Sequence, residues 1–218
     1  MSDGRLIIGN RRYSSWSMRG WLAVRLAGLA VEEVVVPLAG GETPAIKALS
    51  PSGLVPCLEH RGAVVWESLA IAEYCAELQP ALWPSDRLAR AHGRAIAAEM
   101  HAGFRALRQA MPMVLGRTFP CPAAGPELAA DLARIVAIWR ETRARFGAGG
   151  PFLFGAAFTA ADAMYAPVVA RFLAYSPPLP AEAEAYCAAV RSHPLVAAWY
   201  DAAAAEPPSW RLAKYEPL

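Results

Sequence analysis

Four short stretches of the chain hold residues whose types and spacing could do chemistry. The first is Tyr13-Ser14-Ser15-Trp16-Ser17-Met18-Arg19, which sets three serine hydroxyls and a phenol between an apolar β-branched run and an apolar helical run. A serine at a strand-to-helix junction is an ordinary turn residue or helix N-cap. The same hydroxyl, placed where a helix N-terminus presents its positive dipole end, could also donate to a bound thiolate. Free thiols titrate near pKa ~8.5, so a donor and a dipole together bring that value toward neutrality and enlarge the nucleophilic fraction. A serine-hydrolase reading is weak. No G-x-S-x-G surrounds these serines, and none of His60, His92, His101 and His193 stands out as their partner.

The second stretch, Ser52-Gly53-Leu54-Val55-Pro56, sets a proline just inside a strand. Proline cannot donate to a ladder, so it belongs at a strand start or edge. With a cis bond before it, the backbone of Val55 is open to a ligand lying alongside. In the third, Glu67-Ser68 opens a helix directly after a strand. This is a simple cap, or a place where a ligand carboxylate meets free N–H groups while Glu67 takes a ligand ammonium. The fourth, Thr159-Ala160-Ala161-Asp162, is a capping box before an apolar run, and its role is structural.

The elements that must position these residues fall into two kinds. Residues 5–9 and 31–36 are β-branched runs with about fifteen residues of helix-compatible sequence between them, ending at Gly28. A short helix led by Thr43 follows, then strands over 55–60 and 63–66 joined by Arg61-Gly62, then an amphipathic helix over 67–78. The order β-α-β-α-β-β-α is complete by about residue 79. After the proline-bracketed linker Gln79 to Pro84 the chain is alanine-rich with helical periodicity, predicting helices over 86–115, 126–147, 160–175, 181–191 and 194–205. The expected division is a domain over 1–80 and an all-helical domain over 85–218.

Composition excludes several classes. The net charge is +2 and no basic stripe with interleaved aromatics appears, so nucleic acid is not an expected partner. No apolar run approaches the roughly 20 residues a membrane span needs, and the first residues are ordered wrongly for a secretory signal, so a soluble cytoplasmic protein is expected. The four cysteines, Cys57, Cys75, Cys121 and Cys187, are widely spaced, which predicts buried thiols and no metal site.

Taken together, Y-S-S-W-S-M-R, S-P-S-G-L-V-P-C-L, W-E-S-L-A-I-A-E-Y and F-T-A-A-D-A-M-Y-A-P, in this order, resemble the glutathione S-transferase family over essentially the whole chain. The resemblance implies a thioredoxin-like N-terminal domain, an all-helical C-terminal domain, glutathione as co-substrate, a small electrophile as second substrate and a homodimer. It implies that Val55 before a cis Pro56 clamps the cysteinyl part of glutathione, and that Glu67 and Ser68 hold its γ-glutamyl carboxylate and ammonium. The loop is most similar to the serine-type, zeta-like pattern S-S-C-S-x-R, whose first serine maps to Ser14; this makes Ser14 the expected thiolate donor, Ser15 the second and Tyr13 a minority alternative. Trp16 stands where that pattern has cysteine, which weighs against maleylacetoacetate isomerisation. The loop Ala39-Gly40-Gly41-Glu42 supplies no basic group for the glycyl carboxylate, and Lys47 is the only nearby cation. The expected activity is thiolate attack on an electrophilic, mostly apolar substrate that functions in detoxification. A glutathione-dependent isomerase and a non-catalytic glutathione-binding scaffold are the alternatives. Met100, Phe104, Leu107, Met111 and Met113 are available to an apolar pocket, although residues at such spacing are more often core.

Overall fold

The computed structural model of the chain describes residues 2–216. Its first half is a four-stranded mixed sheet in the order β2-β1-β3-β4, made of β1 Gly4–Gly9, β2 Glu32–Val36, β3 Cys57–His60 and β4 Ala63–Trp66. β1 runs parallel to β2 and antiparallel to β3, and β3 pairs antiparallel with β4. Parallel neighbours need a crossover, which α1, Ser15–Leu26, supplies. Arg61 and Gly62, at φ of 48° and 87°, make the two-residue turn between β3 and β4, with the paired positive φ values that match strand twist.

Side-chain alternation along β1 divides the core. Leu6 and Ile8 face a large cluster that includes Met18 and Leu22 of α1 and Ile71 and Cys75 of α3, Ser68–Leu78. Ile7 points the other way, joining Val36, Cys57 and Ile46 of the short α2, Pro44–Lys47.

The second half is helical: α4 Arg87–Ala102, α5 Arg105–Ala110, α6 Pro126–Phe146, α7 Ala160–Tyr175, α8 Ala181–Ser192 and α9 Pro194–Ala204. Every residue of α7 except Leu173 is buried, because the helix packs on α4 and α8 and also reaches across to α1. A helix that is apolar all round needs such a central place. No described helix is long and apolar enough to cross a membrane.

Three expectations need correction. The single helix over 86–115 is two: Phe104 takes a left-handed conformation at φ 59°, which breaks the hydrogen-bond ladder between α4 and α5. The third strand begins at Cys57 rather than Val55, since Pro56 has no N–H for the ladder. Cys121 is exposed, lying between two prolines in the loop between α5 and α6, while the other three cysteines are buried.

Candidate active site

The loop from β1 to α1 is held from several sides before it delivers its serines. The Arg11 and Arg12 backbone N–H groups donate to the Glu206 carboxylate at 2.5 and 3.2 Å. The Arg11 guanidinium pairs with Glu33, which also receives Arg25 and, at 2.6 Å, the Trp21 indole N–H. Ser14 is the N-cap of α1: its Oγ accepts from the Ser17 N–H at 3.3 Å and its hydroxyl donates to Ser17 Oγ at 2.7 Å. Ser17 Oγ in turn accepts from the Gly9 N–H at 2.9 Å, which ties the helix start to the end of β1. The Tyr13 hydroxyl is engaged elsewhere, donating to Glu216 at 2.5 Å and accepting from the Leu212 N–H at 3.1 Å. Burial, reinforced by Glu216, raises the Tyr13 phenol above its ordinary pKa.

Ser14, Ser15 and Val55 come together on one cleft of about 570 Å³ between the two halves. Tyr13, Trp16, Lys47, Met113 and Tyr215 also line it. Lys47 is paired with Glu42, which also lines the cleft, at 2.7 Å. Of the five candidate apolar residues, all are buried in the core and only Met113 also reaches the cleft wall. Pro56 lies outside the lining; its peptide bond with Val55 is cis, and its ring packs on α1 at Gly20, where a Cβ would come within 2.7 Å of Pro56 Cγ. Gly20 thus lets the Val55-Pro56 turn approach the helix that carries the serines.

Glu67 and Ser68 are not on this cleft wall. Glu67 is the residue before α3 and sits at φ 69°, a left-handed conformation that costs a non-glycine residue about 1–3 kcal/mol. Its side chain makes no cap hydrogen bond and is half exposed, 3.5 Å from His101 Nε2. Ser68 Oγ is buried with no hydrogen-bond partner among the described residues. The simple capping role for this pair is therefore not made. His101 also packs edge-on against Trp16, ring centroids 5.1 Å apart, so it links the start of α3 to the cleft.

Two arginines that sequence reading passed over also reach the cleft. Arg108 donates to the carbonyls of Gly103 and Met100, at 3.0 and 2.5 Å, satisfying the end of α4. Arg171, buried in α7, donates to Met111 O, Pro167 O and, at 3.3 Å, Ser15 Oγ. Both line the cleft. The guanidiniums of Arg108 and Arg19 lie 4.6 and 4.8 Å from the centroid of the Trp16 ring. Burial first, and Arg108 second, push Arg171 down to about 9, so it remains charged at neutral pH. An arginine inside a helical pattern reads as solvated surface. Only the break at Phe104 and the docking of α7 on α1 turn these two inward.

The buried thiols are poor nucleophiles: burial pushes Cys75 and Cys187 each up to about 12. Among the described residues no three His, Cys, Asp or Glu side chains gather as a metal site requires.

Sheet, crossover helix and helical half define a thioredoxin-like domain joined to an all-helical one. Family models for the N-terminal and C-terminal domains of glutathione S-transferase match residues 13–78 and 122–202. The chain belongs to the glutathione S-transferase family, which is a family of enzymes. A maleylacetoacetate isomerase from Pseudomonas aeruginosa is 40% identical over 114 residues, 49% of this chain and 53% of that one. The chain spans about half the length of the curated relatives it matches. A glutathione transferase homolog from Burkholderia gl BGR1, solved with bound glutathione, superposes with a TM-score of 0.72 at 22% identity, covering 94% of this chain and 100% of that one. A maleylacetoacetate isomerase from Anaeromyxobacter dehalogenans 2CP-1, solved with bound dicarboxyethyl glutathione and citrate, gives 0.66 at 26% identity over 94% and 98%.

Proposed function

We propose that the chain is a glutathione transferase that binds glutathione in the cleft at the start of α1 and holds its sulfur as thiolate. The observation that carries this reading is the meeting of Ser14, Ser15 and Val55 at a helix N-terminus in a chain of this family. Ser14 is the first donor and Ser15 the second. Each hydroxyl oxygen already accepts a hydrogen bond, Ser14 from the Ser17 N–H and Ser15 from Arg171, which polarises its own O–H toward a sulfur. Ser14 must turn its hydrogen from Ser17 to do so, and it keeps its cap bond when it turns. Val55 presents its backbone to the cysteinyl unit, Pro56 fixes that backbone against α1, and Glu67 and Ser68 take the γ-glutamyl carboxylate and ammonium. The thiol gives its proton to solvent water, the sulfur forms a bond to an electrophilic carbon, and the leaving group departs with its electron pair.

The domain division at 1–80 and 85–218 belongs to this proposal, as does a homodimer, for which exposed Val64 and Trp66 of β4 offer apolar surface. The test is retention on immobilised glutathione, followed by an ultraviolet titration of the bound thiol. A hydrogen bond to a charged group contributes about 1.5–3 kcal/mol, so Ser14→Ala should raise the thiol pKa by roughly 1–2 units, and Ser15→Ala by less. A bound thiol that titrates like the free tripeptide in both wild type and variant overturns the catalytic reading.

A second reading, glutathione-dependent isomerisation, draws support from the relatives named as maleylacetoacetate isomerases. Trp16, standing in place of the cysteine of the zeta-like pattern with the Arg19 and Arg108 guanidiniums 4.8 and 4.6 Å from its ring centroid, favours the transferase.

A further inference from the structure

The Ser14 hydroxyl hydrogen already has an acceptor inside the chain. It lies on Ser17 Oγ at 2.7 Å, an oxygen that also accepts from the Gly9 N–H at 2.9 Å. Ser17 is 0% exposed and does not line the cleft, so it acts on a ligand there only through Ser14. Ser15 is held differently: its Oγ accepts from Arg171, and its hydrogen has no acceptor among the described residues. The two serines therefore meet a sulfur unequally, one with its hydrogen free and one with its hydrogen in use.

A serine hydroxyl has one hydrogen and two lone pairs. On Ser14 one lone pair takes the Ser17 N–H at 3.3 Å. The other can accept the S–H of a neutral thiol while the hydrogen stays on Ser17. A thiolate has no proton to give and needs a donor, so the Ser14 hydrogen must rotate to the sulfur and leave Ser17 Oγ to Gly9 alone. That exchange trades a neutral hydrogen bond for one to a charged acceptor, roughly twice as strong. It runs forward, but by less than the full strength of the new bond.

We propose that Ser17 is a positioning residue for this step: its Oγ holds the Ser14 hydrogen while the thiol is neutral and yields it to the sulfur once the thiol has given its proton to water. This rests on the glutathione reading above and deepens it. Ser17 thereby limits how far Ser14 acidifies the thiol. Nucleophilicity falls as a thiol becomes more acidic, so the limit keeps the sulfur reactive as well as ionised.

The test titrates the thiol of glutathione bound to the full chain by ultraviolet absorbance, with the ligand-free protein subtracted, in wild type, Ser17→Ala, Ser14→Ala and the double variant. Ser17→Ala keeps the backbone N–H that caps on Ser14 and removes the competing oxygen. The bound thiol should then titrate roughly 0.5–1 unit lower than in wild type, opposite in sign to Ser14→Ala, and the double variant should titrate with Ser14→Ala. The charged and titratable groups on the cleft, Tyr13, Glu42, Lys47, Arg108, Arg171 and Tyr215, act on the thiol in all four proteins and cancel in the comparison. A thiol pKa unchanged or raised in Ser17→Ala overturns the inference and leaves the glutathione reading standing. So does a Ser17 effect of the same size in the absence of Ser14. A wild-type thiol that titrates like the free tripeptide, or glutathione that does not bind, removes both readings. Ser17→Ala also strips the Gly9 N–H of its acceptor, so a second measurement uses wild type alone. With glutathione bound as thiolate, Ser17 Oγ serves only Gly9, and the Gly9 amide proton should move downfield in nuclear magnetic resonance spectra; S-methylglutathione, which cannot ionise at sulfur, should leave it in place. A Gly9 proton that responds alike to both ligands overturns the inference even if the variant does not fold.

Discussion

At the start of α7 the Asp162 carboxylate accepts four hydrogen bonds: from the N–H groups of Leu153 and Thr159 at 3.0 and 2.9 Å, and from the hydroxyls of Thr159 and Tyr186 at 2.8 and 3.1 Å. At the start of α3 an acid and a hydroxyl of the same chemical kind do none of this. Glu67 is half exposed without a cap bond, its backbone is held at φ 69°, and Ser68 Oγ is buried and unpartnered among the described residues. A helix start leaves N–H groups that must find acceptors. The chain supplies an acceptor itself where only architecture is at stake. It leaves donors open, at a cost in strain, where we propose that a ligand supplies the acceptor. Side-chain composition does not separate the two cases; satisfaction does.

Substitutions at these two starts should separate stability from binding. The largest effect is expected for Asp162→Ala, which leaves four buried donors without their acceptor and should lower unfolding stability by about 3–5 kcal/mol. Glutathione affinity of the fraction that folds should be unchanged; chemical denaturation with a binding measurement reads both. Glu67→Gln comes next and reverses the pattern. Stability should hold, while calorimetry should show glutathione binding weakened by about tenfold or more, the loss of one charge-assisted contact. An Asp162 variant that binds weakly when folded, or a Glu67 variant that is unstable but binds normally, breaks the contrast.

Smaller effects sharpen it. Ser68→Ala removes a hydroxyl that has no hydrogen-bond partner among the described residues, so thermal stability should stay level or rise slightly, with a loss of glutathione affinity of a fewfold at most. The smallest concerns His101. Burial holds its pKa below the ordinary ~6.5, with Glu67 opposing and Arg19 and Arg108 reinforcing the shift. A depressed folded value favours the neutral ring, so the stability it contributes is present above about pH 6.5 and lost as pH falls through the lower folded value. His101→Gln should therefore flatten the loss of stability on that acid side, seen in melting curves at several pH values.

Much of the fold is legible in the chain before it folds. The β-branched runs, the Arg61-Gly62 turn and the capping box at Thr159 are local signals, and the strands and helices they predict lie within a few residues of those observed. The break inside residues 86–115 left little local trace. The left-handed Phe104 is stabilised by burial of its ring and by Arg108 reaching back to the carbonyls of Gly103 and Met100, contacts across several residues. The candidate site divides in the same way. One of the loop serines reads as an N-cap from its junction, and the structure gives that role to Ser14; Arg108, Arg171 and His101 read as ordinary helical residues because nothing near them in sequence says which face will meet another element.

The amino-acid sequence by itself determined which elements form, where most of them begin and end, and which family the chain joins, because these depend on neighbours within a few positions and on motif order. Only the tertiary structure decided that Ser14 and Ser15 face a cleft lined by two arginines and a tryptophan, and that Glu67 and Ser68 leave their helix start open. Those outcomes depend on how α7 docks against α1 and how α4 ends. That docking is set by packing between residues about 150 positions apart, such as Ser15 and Arg171.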